Sequence, residues 1–358
     1  MRFHGSAVTS MLVCCAVFAL SACSTAGYYW QAIEGHFDVQ RRAVPFAQAV
    51  ESAANADLAQ RLARAREIRD FASRELGLPD NGSYRRYADV GRPYVIWNVF
   101  AAPALSVRPA ESCFPVAGCV PYRGYYKEAD ARAHADELAA SGLDVYVGGV
   151  LAYSTLGWFD DPVLSTFIGL PGAEFARIIF HELAHQMLYV RGDAQFNESF
   201  AVALEQVGVR RWLASRGDAA AVEEMRRWEE GQVRRQAFFA LLVRYRDRLA
   251  RLYESAVPED EKRMGKAQSF AALIEEYQAL KLKWGGFAGY DRLFAQRPNN
   301  ALLASVAIYT DHVPFFVSLI EKYVGNLTPF YVEVRRLAAL SRDERLAVMA
   351  AATGSINH

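Results

Sequence analysis

The sequence predicts an α+β protein that is mainly α: a small β-sheet, then a helix carrying the pattern H-E-x-x-H, then a helical C-terminal half. Three observations predict this. Aromatic and β-branched runs broken by Pro and Gly fill residues 84–159. The stretch Phe180-His181-Glu182-Leu183-Ala184-His185-Gln186 follows, with its histidines one helical turn apart. From Asp218 to the C-terminus apolar residues recur at helical spacing. With 358 residues and 52% hydrophobic content, the chain can bury a substantial core as one large domain or two smaller ones. Forty basic residues balance forty acidic ones, so no global field draws it to nucleic acid, and no nucleic-acid partner is expected.

Residues 1–22 have the layout of a secretory signal peptide, with Arg2 and no acid ahead of the apolar run Met11 to Leu20. Cys14 and Cys15 leave with it. The segment Leu20-Ser21-Ala22-Cys23 resembles a bacterial lipobox. That resemblance implies lipidation of Cys23, a lipid anchor in an envelope membrane and a chain facing the periplasm, with Ser24 favouring the outer membrane over the inner. The alternative is cleavage at a small-residue site and a secreted soluble protein.

Residues 23–83 read as an N-terminal helical segment. Leu58, Leu62, Ile68 and Phe71 recur at one-turn intervals among charges, with a bend near Pro45. The aromatic cluster around Tyr28 suits either a membrane-proximal feature or packing. Residues 84–210 hold the sheet and the motif helices. Tyr94 to Phe100 and Val145 to Val150 read as strands, with one helix inserted near Ala129 to Ser141. Cys113 and Cys119 lie in a turn-rich loop of an exported chain, and a disulfide is expected. The pair has no second pair of ligands nearby to complete a tetrahedral zinc site. Leu151 to Phe159 is read as an edge strand able to take an extended peptide, or as a buried final strand.

Pro171-Gly172 opens the motif helix, which runs to about Tyr189, and a second helix spans Asn197 to Val207. Residues 211–358 are read as helical and packed with the preceding part: Val222 to Tyr253, Phe270 to Leu282, Ala301 to Tyr323 and Pro329 to Ala352. Ser341 to Glu344 forms a capping box inside the last of these.

In H-E-x-x-H the histidines bind Zn²⁺ and the glutamate is a general base. A catalytic zinc takes three protein ligands and keeps one position open, so a third ligand is needed besides His181 and His185. Glu198, thirteen residues after His185, can reach the same point from a helix folded back by a short loop. These two strings, His-Glu-Leu-Ala-His-Gln and Asn197-Glu198-Ser199-Phe200-Ala201, resemble the zinc core of the gluzincin aminopeptidases of the aminopeptidase N kind. The whole chain, with its lipobox, resembles the bacterial lipoproteins called predicted aminopeptidases.

The resemblance implies a zincin-like fold, one Zn²⁺ per chain held by His181, His185 and Glu198, Glu182 as general base, and Glu205 as an acid supporting the site. The substrate would be a peptide or protein. Asp193 is a further candidate to orient an imidazole, with loop capping as the other reading. An oxyanion donor is expected from a tyrosine on a later helix. Tyr309 is the candidate, with Tyr290, Tyr277 and Tyr153 as rivals that also suit packing.

No Gly-Ala-Met-Glu-Asn string precedes the motif, where that family keeps the glutamate for the substrate's α-amine. The resemblance implies an aminopeptidase, with endopeptidase still open; for an aminopeptidase some other acid, such as Asp160 or Asp161, is the one to test as the amine partner. A catalytically silent lipoprotein acting as a binding or assembly factor is the alternative. The intact Glu182 favours the enzyme.

Overall fold

A computed structural model describes residues 27–52, 56–114, 118–306 and 312–354. The chain is α+β and mainly helical. Helix α1 covers 27–42. It leads through β1 (Val44–Pro45) to α2 (Phe46–Glu51) and α3 (Ala56–Arg74). The bend expected at Pro45 is therefore a two-residue strand. Pro has no N–H to donate and tolerates such an edge position.

The sheet region divides into three small sheets instead of one. β1 pairs antiparallel with β2 (Arg86–Ala88), which pairs parallel with β8 (Val163–Leu164). The larger sheet has order β6-β3-β7, with β3 (Ile96–Pro103) central between β6 (Arg123–Tyr125) and β7 (Leu143–Val150). A disulfide joins Cys113 to Cys119 across the hairpin of β4 (Ser112–Phe114) and β5 (Gly118–Val120).

Alternation along β3 loads both faces of its sheet. Trp97 and Val99 pack with Ala131 and Ala135 of α4 (Glu128–Ala140), while Phe100 and Ala102 pack with Ala301 and Ala304 of α10 (Asn300–Val306). Both outer strands are capped by side-chain amides. Gln31 of α1 accepts from Tyr126 N–H and donates to Gly124 C=O, both at 3.2 Å. Gln296 bonds both backbone groups of Val147, and Asn299 donates to Val145 C=O at 2.8 Å. These amides occupy edge groups that a strand-adding peptide would need. Residues 151–159 form no strand. The segment is irregular, with a turn at Leu156 and Gly157, both at positive φ, so neither strand reading of it holds.

The main core joins the N-terminal helices to the motif helices α5 (Gly172–Met187) and α6 (Ala194–Arg216) and to α11 (Val313–Lys322) and α12 (Leu327–Ala338). A second apolar cluster fills the space among α7 (Ala219–Glu254), α8 (Glu259–Lys283), α9 (Asp291–Ala295) and α10. The C-terminal stretch read as one helix is two. Glu344 accepts from the backbone N–H of Ser341 at 2.9 Å, and Ser341 Oγ accepts from Glu344 N–H. This reciprocal cap starts α13 (Arg342–Gly354). α5 and α6 approach closely at Gly208, where an added Cβ would lie 2.7 Å from the Phe180 ring and 2.8 Å from Leu76.

Candidate metal centre

The site is built on two consecutive helices. α5 begins after Pro171, whose fixed φ suits a helix start, and carries Glu174 in its first turn, where a negative charge complements the helix dipole. It ends when Leu188 turns extended, and Gly192 at φ 78° lets the chain reverse. Asp193 then caps α6 by accepting from Phe196 N–H at 3.1 Å, while its other oxygen takes a buried ion pair from Arg345 at 2.7 Å. Asp193 is thus a loop-capping residue and pairs with neither imidazole. Asn197 bonds both backbone groups of Val190 at 2.8 Å, clamping the connection and fixing the turn from which Glu198 projects.

This brings donor atoms of three residues together around one point. His181 Nε2 lies 3.1 Å from His185 Nε2 and 3.3 Å from a Glu198 oxygen, and His185 Nε2 lies 3.5 Å from the other. Donors bound to zinc at about 2.0–2.1 Å in a tetrahedron stand roughly 3.3 Å apart, and each imidazole nitrogen lies near that distance from the other and from one oxygen of the Glu198 carboxylate. Two imidazoles and a carboxylate also form a donor set that zinc favours. Glu182, next to His181, is partly buried and supplies no atom to this triangle.

Behind the triangle, Glu205 is buried at 1% exposure and holds His181 Nδ1 at 2.8 Å. It also pairs with Arg177 at 3.4 Å, and Arg177 in turn bonds Glu174 at 2.8 Å. The acid, imidazole and ligand point are therefore arranged in series, which fixes the ring and its tautomer. The Nδ1 of His185 is buried with no hydrogen-bond partner among the described residues.

The electrostatics follow from this arrangement. Burial disfavours a charged His181, but Glu198 and Glu205 outweigh it and push its pKa up to about 10. Burial and the His181 charge lower His185 to about 4. Burial raises Glu182 to about 7; His181 opposes the rise, while Glu198 and Asp161 add to it. Burial opposes the charge on Glu205, yet Arg177 and His181 hold its pKa below the ordinary carboxylate value.

Tyr309 lies outside the described residues, as does Cys23. Tyr277 donates to Asp291 at 2.6 Å and stacks on Phe294, and Tyr290 stacks on Phe238. Both belong to the second apolar cluster. Tyr153 pairs with His36 Nδ1 at 3.1 Å and edges against Tyr126. Two tyrosines near the site were not singled out from the sequence. Tyr122 sits against Phe100, and its hydroxyl is raised by burial and by the charges of Glu198 and Glu182. Nothing in the sequence around it signals this placement. Tyr189 lies edge-on to His185 from just past the end of α5, so helical spacing does not signal it.

The class defined by these comparisons is a peptidase family. A family model described as Putative aminopeptidase matches residues 27–349, and the chain belongs to that family. No curated protein and no solved structure matches it. Among the described residues no helix is long and apolar enough to cross a membrane.

Proposed function

We propose that the chain is a zinc-dependent peptidase with a zincin-like active-site helix, hydrolysing peptide bonds of a peptide or protein substrate. The convergence of His181, His185 and Glu198 on one point, with Glu182 beside it, carries this reading. One zinc per chain would be held by those three residues, and when bound it would polarise a carbonyl and lower the pKa of water toward 7.

The chain's own residues supply the rest. Glu182, poised near neutral pH by burial and neighbouring charge, takes the proton from the attacking water and hands it to the leaving amine. Glu205 holds His181 in one tautomer through Nδ1, and Arg177 keeps Glu205 ionised. A hydroxyl donor stabilises the oxyanion. Tyr309 remains the sequence's candidate, and Tyr122, within the field of Glu198 and Glu182, is the one the described residues add. Location follows from Leu20 to Cys23: a lipid anchor at Cys23 and a periplasm-facing site in the cell envelope, at the outer membrane by preference.

The test is hydrolysis of a peptide library by the purified exported portion, by the same protein with a chelator, and by Glu182→Gln. Activity in the first and its loss in the other two is the expected outcome. Bound zinc without hydrolysis that depends on Glu182 would instead support a binding or assembly factor.

A further inference from the structure

The two faces of α1 differ. At 3.6 residues per turn, Tyr28, Gln31, Gly35 and Val39 fall on one side of the helix. That side is packed. Tyr28 meets the Tyr125 ring at 5.5 Å, Gln31 caps the strand edge at Gly124 and Tyr126, an added Cβ at Gly35 would strike the Tyr126 ring, and Val39 is fully buried. Trp30, Ile33 and Phe37 fall on the opposite side, and all three are exposed, Trp30 at 69%. Within the aromatic cluster around Tyr28, Tyr28 is therefore a packing residue and Trp30 is not.

A second pair of exposed aromatic rings joins this outer face. The turn closed by Thr155 and Asp161 carries Trp158, 85% exposed, and Phe159. Phe159 lies 4.5 Å from His36 and 6.3 Å from Phe37 between ring centroids. No other tryptophan among the described residues is exposed. Large apolar side chains gathered in water mark a contact surface. Trp, Ile and Phe along one helix face are what an interfacial helix presents to the boundary between lipid headgroups and acyl chains. The nearby charges suit a lipid surface as well. Glu34 pairs with Lys127 at 3.9 Å and Asp38 with Arg42 at 2.9 Å, so both acids are compensated, and Arg41 adds an exposed cation on the same side as Phe37.

The choice of occupant comes from the sequence next to this helix. Cys23 precedes α1 by four residues, which span at most about 14 Å. An acyl group on Cys23 would hold the first turns of α1 close to the bilayer that it enters.

We propose that Trp30, Ile33, Phe37, Trp158 and Phe159 form a membrane-docking surface that enters the headgroup region of a phospholipid bilayer beside the lipid anchor. The surface is a contact additional to the anchor, and it rests on the Cys23 reading for the choice of partner. Docking also orients the molecule. Asp161, at the base of the docking turn, takes a hydrogen bond from Gln186 at 3.4 Å, so the same turn touches the C-terminal end of α5 and brings the candidate metal centre toward the lipid surface.

The test removes the anchor and keeps the face. The chain lacking residues 1–22 and carrying Cys23→Ser retains every described residue and has no thiol to acylate at that position. It is expected to co-sediment with vesicles of phosphatidylethanolamine and phosphatidylglycerol, and brominated acyl chains in those vesicles are expected to quench its tryptophan fluorescence. Trp30→Ser, Phe37→Ser and Trp158→Ser should each weaken partitioning about 10-fold, with thermal unfolding unchanged. Trp30→Phe together with Trp158→Phe should keep most of the partitioning and lose the quenching, because Trp97, Trp212 and Trp228 are buried and Trp284 packs in the second apolar cluster. No partitioning of the anchor-free chain, partitioning that survives the three serine substitutions together, or quenching that persists in the phenylalanine pair would overturn the proposal. So would self-association lost on the serine substitutions without any vesicle binding, which would give the face to a second copy of the chain. Should the serine variants not fold, the quenching still decides. Failure of the anchor reading shows separately, as a mature wild-type chain whose mass includes no acyl group.

Discussion

Two carboxylates flank the motif helix, and each is 1% exposed: Glu205 on one side, Asp161 on the other. Glu205 is surrounded by cationic partners, Arg177 and His181, and its pKa is held down. Asp161 receives only Thr155 and Gln186 as donors, and burial raises its pKa to about 6. Equal burial thus has opposite electrostatic consequences. The chain compensates the charge beside His181 and leaves the one beside Gln186 without a cationic partner among the groups that shift it.

The largest expected effect lies between these two acids. Glu182→Gln should lower kcat about 100- to 10,000-fold with zinc content unchanged, read by parallel metal analysis and peptide hydrolysis. Loss of zinc along with activity would mean that Glu182 serves the metal and not the proton.

Next comes Glu205→Gln, which leaves Arg177 without one of its two carboxylates. It should cost about 3 kcal/mol of stability, measured by denaturant unfolding, and weaken zinc binding about 10- to 100-fold in competition with a chelating dye. A neutral outcome would remove the distinction between the two flanks.

Asp161→Asn should act in the other direction. A carboxyl whose folded pKa exceeds its unfolded value binds more protons when folded, so it loses stability as pH rises from about 4 to about 6 and carries the full cost above that. The groups around it, Asp160, Glu182, Tyr84, Tyr126 and Tyr153, supply no positive charge to reverse this. The asparagine variant should be about 3 kcal/mol more stable at pH 7 and indistinguishable below about pH 4, followed by thermal melts across that range. A lower melting temperature at pH 7 would show that the carboxylate is structural.

The smallest effect tests the platform under both acids. Gly208→Val places methyl groups against Phe180 and Leu76 and should destabilise by about 1–3 kcal/mol while sparing the fold.

Much of the candidate metal centre was legible because it is local. Helical spacing alone puts His181 and His185 on adjacent turns, and Glu198 and Glu205, seven apart, share a face of the next helix. Once one of these acids points at the imidazoles, the other does too. Asn197 could be placed only by resemblance, because its clamp on Val190 depends on the shape of the loop. The capping box at Ser341 was visible, but a reciprocal cap starts a helix, so a single helix through it was the wrong reading.

Leu151 to Phe159 misled because its aromatic and β-branched content suits a strand, whereas Thr155 and Asp161 bind each other and close it into a turn. The bonds from Gln186 to Asn81 and Ser83 span about a hundred residues, and no periodicity encodes such a meeting.

Zinc stoichiometry is the most direct test of the central claim. The purified chain and its Glu182→Gln variant should each retain one zinc per chain after dialysis, and Glu198→Ala should not. An absence of stoichiometric zinc in wild type, or its retention in Glu198→Ala, would contradict the account.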